Sequence, residues 1–183
     1  AQTRPQIFKG AGRLNSARLP GFPLEGAAVM DEREALWRTE RLLAGYVRCL
    51  DQDRLEEWPG FFADPCFYQI VHAANHERGL PMGLIYADSQ GMLRDRVVAL
   101  RQANIYEPQR YRHLVSSTVI LDARQPTRVV AESNMLVVRS MQAGASEVFA
   151  VGRYLDVIDM TGPQAKFREK RVVLDNDQVD TLL

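Results

Sequence analysis

Nitrogen and sulfur side chains that bind metals or cross-link are few in this sequence: three histidines, His72, His76 and His113, and two cysteines, Cys49 and Cys66, in 183 residues. Two cysteines are too few for a disulfide framework, and each sits among apolar residues, the pattern of buried free thiols in a reducing compartment. Excess charge of either sign is missing, since Lys plus Arg and Asp plus Glu number 23 each. A nucleic-acid surface needs a basic excess, so no nucleic acid is expected; proteins or small molecules are the expected partners. Zero net charge also gives little repulsion against self-association. Lysine occurs only at positions 9, 166 and 170. Nearly every cation is therefore arginine, which suits bidentate pairs at interfaces and which a GC-rich genome also favours. No run approaches the roughly 18–20 apolar residues of a membrane span, and the N-terminus lacks the apolar core of a signal peptide. The expectation is a cytoplasmic protein with no membrane partner. No Gly-rich phosphate loop and no Gly-x-Ser-x-Gly elbow occurs.

The length suits one core, and the reading divides the chain at Met30. In residues 1–30, Pro5, Pro20, Pro23 and several glycines interrupt any period. This stretch reads as an extension, disordered or upstream of a natural start at Met30, with a strap lying on a partner subunit as the alternative. Residues 31–183 read as a single domain.

From Asp31 the pattern is helical: Asp31 can cap, Glu32 and Glu34 favour the positive end of the helix dipole, and Leu36, Leu43, Tyr46, Val47 and Leu50 recur at three- and four-residue spacing. A short helical piece, Asp53 to Trp58, ends at Pro59-Gly60, and a turn is expected at Asp64-Pro65. Cys66 to His72 reads as a strand, Ala73 to Pro81 as a loop, and Met82 to Tyr86 as a short strand. A third helix starts at Asp88-Ser89, carries Leu93, Val97 and Leu100 on one face, and fades near Asn104. The second half changes to strand character. His113 to Leu121, Arg128 to Ser140, Glu147 to Asp159 and Lys166 to Leu174 are Val-rich, alternate in part, and are joined by short connectors. Such connectors imply an antiparallel meander, giving an α+β fold in which the first helix covers the concave face of a curved sheet.

Three groupings bear on chemistry. His72 and His76, with Glu77, have a ligand spacing only if helical; a loop there leaves two exposed histidines and no metal site. His113, opening a strand, faces a pocket or a subunit boundary. Asp51, at the end of the first helix, is positioned to orient it as an acid–base pair. Asp95 is placed to pair with Arg94, Arg96 or Arg101 in an ion network.

The run Asp51 to Tyr68, DQDRLEEWPGFFADPCFY, resembles the helix-to-first-strand segment of the nuclear-transport-factor-2-like cone fold, with Trp58, Phe61 and Phe62 beneath the helix. Ile85 to Leu114, IYADSQGMLRDRVVALRQANIYEPQRYRHL, resembles the β subunits of aromatic-ring-hydroxylating dioxygenases, as do EVFAVGRYLD at 147–156 and EKRVVLD at 169–175. The similarity runs from about residue 36 to 183, with terephthalate-type members nearest and salicylate and anthranilate types further off. The resemblance implies a cone with a mixed or antiparallel curved sheet wrapped around N-terminal helices. It also implies a β3 trimer within an α3β3 hexamer, a dioxygenase α subunit as partner, and NAD(P)H electrons arriving through a separate reductase. A Rieske [2Fe-2S] cluster needs two Cys and two His in paired motifs, and mononuclear Fe(II) needs two His and a carboxylate. This chain has no such paired motifs, so both centres are expected in the α subunit and no catalytic residue, cofactor or metal in this one. Arg94, Arg96, Arg101, Arg112 and His113 are the candidates for subunit contacts. The alternative is a stand-alone dehydratase or isomerase of the same cone fold, using Asp51 and His113 for proton transfer.

Overall fold

The computed structural model describes residues 30–103, 109–142 and 144–176. The extension before Met30 and the last residues lie outside them. Helix α1 (Glu32–Asp51) leads through a 3₁₀ segment (Leu55–Phe61) into strand β1 (Phe62–His72), a one-turn helix α2 (Ala73–Glu77), strand β2 (Ile85–Ala87) and helix α3 (Gln90–Ala103). Strands β3 (Gln109–Gln125), β4 (Arg128–Met141), β5 (Ser146–Asp159) and β6 (Lys166–Leu174) follow. The six strands form one sheet in the order β2-β1-β6-β5-β4-β3. The last four are the expected antiparallel meander, while β1 joins β6 in parallel, so the sheet is mixed. With its helices this is the α+β cone anticipated above.

Three local expectations need correction. Strand β1 starts at Phe62 rather than Cys66, and Asp64-Pro65 forms an irregularity inside it, between the Phe62 and Phe67 pairings, instead of a turn before it. Ala73–Glu77 is a helical turn, where polarity had suggested loop. The buried face of α1 is rotated: Ala35, Thr39, Leu42, Leu43, Tyr46 and Cys49 are buried, whereas Leu36, Val47 and Leu50 are only partly so. Small side chains at 35 and 39 bring the helix close to the sheet, and a search for large apolar residues overlooks them.

The core centres on Tyr46. Its ring meets Phe61, Phe62, Tyr154 and Phe167 edge-on, contacts worth about 0.5–1.5 kcal/mol each beyond buried area. Trp58 and Tyr68 extend the cluster through Phe62. Sheet curvature is locally encoded: Ser117 takes φ 53°, where the register between β3 and β4 shifts between Ser116 and Val119. Such bulges bend and twist a strand.

Candidate functional site

Asp51 closes α1, and His113 lies on the inner face of β3, which begins at Gln109 rather than at His113, and the fold joins them. His113 Nδ1 lies 2.6 Å from Asp51 Oδ1, and the His113 backbone N–H donates to both carboxylate oxygens at 3.1 and 3.2 Å. The two side chains are 7% and 11% exposed. An ionised carboxylate accepts only, so the proton of the neutral ring belongs on Nδ1, leaving the Nε2 lone pair free to accept.

His113 borders a cavity of about 60 Å³ inside the cone, walled mainly by Trp58, Tyr68, Val97, Phe149 and Tyr154. The Trp58 indole N–H finds no hydrogen-bond partner there. Burial pushes the Tyr68 phenol up to about 12 and those of Tyr46 and Tyr154 well above their ordinary value, so all three stay neutral. The arrangement has a possible base and a neutral wall, with little room between them.

The dyad has a structural consequence. Asp51→Ala removes the acceptor for a backbone N–H and for a ring N–H, both shielded from water. A loss of about 1–3 kcal/mol is expected from unsatisfied buried donors, measured by urea unfolding. A loss indistinguishable from zero would show that the pair does not join α1 to β3.

The other singled-out residues are dispersed. Arg101, at the end of α3, binds Asp53 Oδ2 at 2.7 Å, the Asp53 carbonyl at 2.8 Å and Glu56 Oε1 at 2.8 Å, tying α3 to the turn after α1. Its guanidinium holds the Glu56 carboxyl down to about 2. Arg94 turns back onto Gln90 at 2.7 Å within the same helix. Arg96 is half-buried on α3, and Arg112 is exposed on the outer face of β3. The His113 ring faces the cavity inside the cone. His72 Nδ1–H donates to the Asn176 carbonyl, 3.1 Å away. Desolvation first, then Arg153 and Arg171, lowers the His76 pKa. Among the described residues no group of three or more His, Cys, Asp or Glu is placed to hold a metal, and no described helix is long and apolar enough to cross a membrane.

Sequence reading missed a second polar constellation altogether. Lys170 and Asp156, opposite each other on β6 and β5, are 0% and 1% exposed and bonded at 3.1 and 3.2 Å. The Lys170 ammonium lies over the rings of Tyr154, Phe167 and Tyr46 at 3.5, 4.3 and 4.7 Å. The available signal was one acid inside the apolar run Tyr154 to Ile158. Lys170 itself, between Glu169 and Arg171, carried none.

The helix-covered, curved mixed sheet is that of the nuclear-transport-factor-2-like class. A protein assigned as a scytalone dehydratase from Novosphingobium aromaticivorans DSM 12444 shares the fold at 16% identity, with a TM-score of 0.62 over 82% of this chain and 90% of that one. Within the class, residues 46–181 match the family described as the ring hydroxylating beta subunit, and the chain belongs to that family. It is 44% identical over 138 residues to the anthranilate 1,2-dioxygenase small subunit of Burkholderia cepacia, covering 75% of this chain and 85% of the relative. It is 41% identical over 140 residues to subunit beta 2 of the terminal oxygenase component of terephthalate 1,2-dioxygenase from Comamonas sp, covering 76% and 90%. A protein assigned as the β subunit of an aromatic-ring-hydroxylating dioxygenase from N. aromaticivorans DSM 12444 superposes with a TM-score of 0.75 at 36% identity, over 82% of this chain and 95% of that one.

Proposed function

We propose that this chain is a non-catalytic, structural small subunit that assembles and stabilises the iron-bearing α subunits of a Rieske non-haem iron dioxygenase in an α3β3 hexamer. The cavity carries this reading. A cavity of about 150 Å³ accepts benzene, and the space beside His113 is about 60 Å³, too small for a ring substrate. Tyr46, Phe62 and Tyr154 fill the cone where a stand-alone dehydratase would need room, which weighs against the Asp51–His113 proton-transfer reading despite the pair's short contact.

In this reading the Rieske [2Fe-2S] cluster and mononuclear Fe(II) reside in the α subunit, and a reductase supplies electrons from NAD(P)H. The substrate class is an aromatic carboxylic acid. The terephthalate relative supports that class, and the anthranilate relative does so at similar identity, so the choice of ring falls to the α subunit.

The test is co-expression with a large subunit. The isolated chain is expected to bind no iron and to leave aromatic acids unchanged, while co-purifying with the large subunit. In the reconstituted complex, His113→Ala is expected to change kcat by less than about threefold, against the roughly 10²–10⁴-fold loss typical of a removed general base. Ring conversion by the chain alone, abolished by His113→Ala, would reverse the assignment.

A further inference from the structure

A second space lies between α1, the 3₁₀ segment and the connector from β5 to β6: an open groove of about 690 Å³. Trp37, Arg38 and Arg41 line it from α1, Gly60 and Phe61 from the 3₁₀ segment, and Lys166 from the start of β6. Arg38 Nη2 donates to the Gly162 carbonyl at 2.5 Å, which ties the connector to the helix and fixes the two walls relative to each other. A Cβ on Gly60 would meet nothing within 4 Å, so the groove is open at that point.

The lining combines cationic and aromatic surface. Trp37 is 58% exposed, and the Arg41 guanidinium, one helical turn further on, lies 5.1 Å from the centre of its ring. Neither Arg41 nor Lys166 forms an ion pair with a described residue. Glu57 also lines the groove, but Arg54 already pairs with its carboxylate. Three cations thus line the groove with no free acid among the described residues beside them, on a chain whose net charge is zero. The indole is neither buried nor needed by the core, and such flat, rigid side chains gain contact area at low entropic cost when a ligand covers them.

We propose that this groove binds a planar aromatic carboxylate, its ring against Trp37 and Phe61 and its carboxylate accepting hydrogen bonds from Arg41 and Lys166. The guanidinium fork matches the two oxygens of a carboxylate, and Lys166 adds a second point charge. A volume within the roughly 300–1,000 Å³ of small-molecule sites favours a small ligand over a flat protein surface. An inorganic anion would use the cations and leave the indole idle; an uncharged ring would do the reverse. Only a ligand with both parts uses the whole lining. The inference concerns this chain alone and goes beyond the subunit reading: failure to co-purify with a large subunit would leave it standing, and failure to bind an aromatic acid would leave that reading standing.

Binding to the full chain is measured by titration calorimetry and saturation-transfer NMR with benzoate, 2-naphthoate, the neutral isostere benzamide and inorganic phosphate. Benzoate is expected to bind with a Kd on the order of 1 mM. The second ring should make 2-naphthoate at least about threefold tighter, and benzamide and phosphate should each be at least about tenfold weaker. Arg41→Ala/Lys166→Ala is expected to weaken benzoate roughly tenfold or more, and Trp37→Ala to abolish the advantage of 2-naphthoate. Arg124→Ala, at an exposed cation elsewhere on the surface, should change neither. Far-ultraviolet circular dichroism checks that each variant is folded. Benzamide or phosphate binding as tightly as benzoate would overturn the proposal, as would an Arg41→Ala/Lys166→Ala chain with undiminished affinity. So would loss of benzoate binding once the large subunit is added, because the groove would then be a contact with that subunit.

Discussion

Asp156→Ala is expected to remove about 3–5 kcal/mol of folding stability, the range for stripping one partner from a buried ion pair. Domains are stable by only about 5–15 kcal/mol, so the variant would be close to unfolding. The loss follows from what remains: an ammonium enclosed by Tyr46, Tyr154 and Phe167, whose ring faces offset about 2 kcal/mol when desolvated, less than the cost of burying an unpaired charge. Replacing both partners with apolar residues of similar volume, Asp156→Leu with Lys170→Met, leaves no charge to bury. That double variant is expected to match the parent or exceed it by about 1–4 kcal/mol. Urea unfolding of the three proteins at pH 7 provides the comparison. A single variant within about 1 kcal/mol of the parent would show that the pair is not held as two charges.

The same pair should mark the pH dependence of stability. Burial pushes the Asp156 carboxyl from 3.8 up to about 6, against the pull of the Lys170 charge. Burial also lowers Lys170 from 10.5 to about 8, against the pull of Asp156. Folding thus takes up a proton at Asp156 between pH 3.8 and about 6, so its contribution falls as pH rises through that window. Folding releases a proton from Lys170 between about 8 and 10.5, so its contribution rises with pH there. Stability due to the pair is lowest between about 6 and 8, where both are charged. The stability difference between the parent and the Leu/Met variant, followed from pH 4 to 10, should show this trough; a flat difference would contradict it.

The sequence disclosed most of the architecture and little of its polar interior. Strands β4 to β6 were legible because Val-rich alternation between short connectors has few other solutions. Helix α1 was legible from its spacing and first-turn acids, although Asp31 makes no side-chain cap hydrogen bond and the true inner face depends on Ala35 and Thr39, whose burial is a packing outcome. The parallel pairing of β1 with β6 joins segments about a hundred residues apart, and local periodicity carries no such information. Asp51 and His113 were recognisable as partners because one ends a helix and the other was read as beginning a strand, although that strand starts at Gln109. The narrowness of the space beside them depends on how Trp58, Phe149 and Tyr154 meet. The Lys170–Asp156 pair was invisible because Lys170 lies in a run of charges, Arg168 to Arg171, which reads as a solvated surface until the register of β6 turns one of them inward.

Register also makes Gly152 the backbone position least tolerant of change. It lies on the inner face of β5 between Ala150 and Tyr154 and pairs with Met135 on one side and Leu174 on the other. A Cβ there would stand 2.0 Å from the Val173 carbonyl oxygen and 3.0 Å from its carbon. Both are backbone atoms held in the sheet, so no rotamer change relieves the overlap; β5 and β6 would have to separate in the middle of the sheet. Gly152→Ala is therefore expected to cost at least the upper end of the ~1–3 kcal/mol typical of overpacking, and to reduce co-purification with the large subunit through loss of folded chain. Gly60 provides the control, because a Cβ there meets nothing within 4 Å. Gly60→Ala should shift stability by less than about 1 kcal/mol, in the favourable direction if the reduced freedom of the unfolded chain dominates. Equal melting temperatures for the two alanine variants would show that β5 and β6 can part at Gly152 without penalty, and that the curvature of the sheet does not depend on this contact.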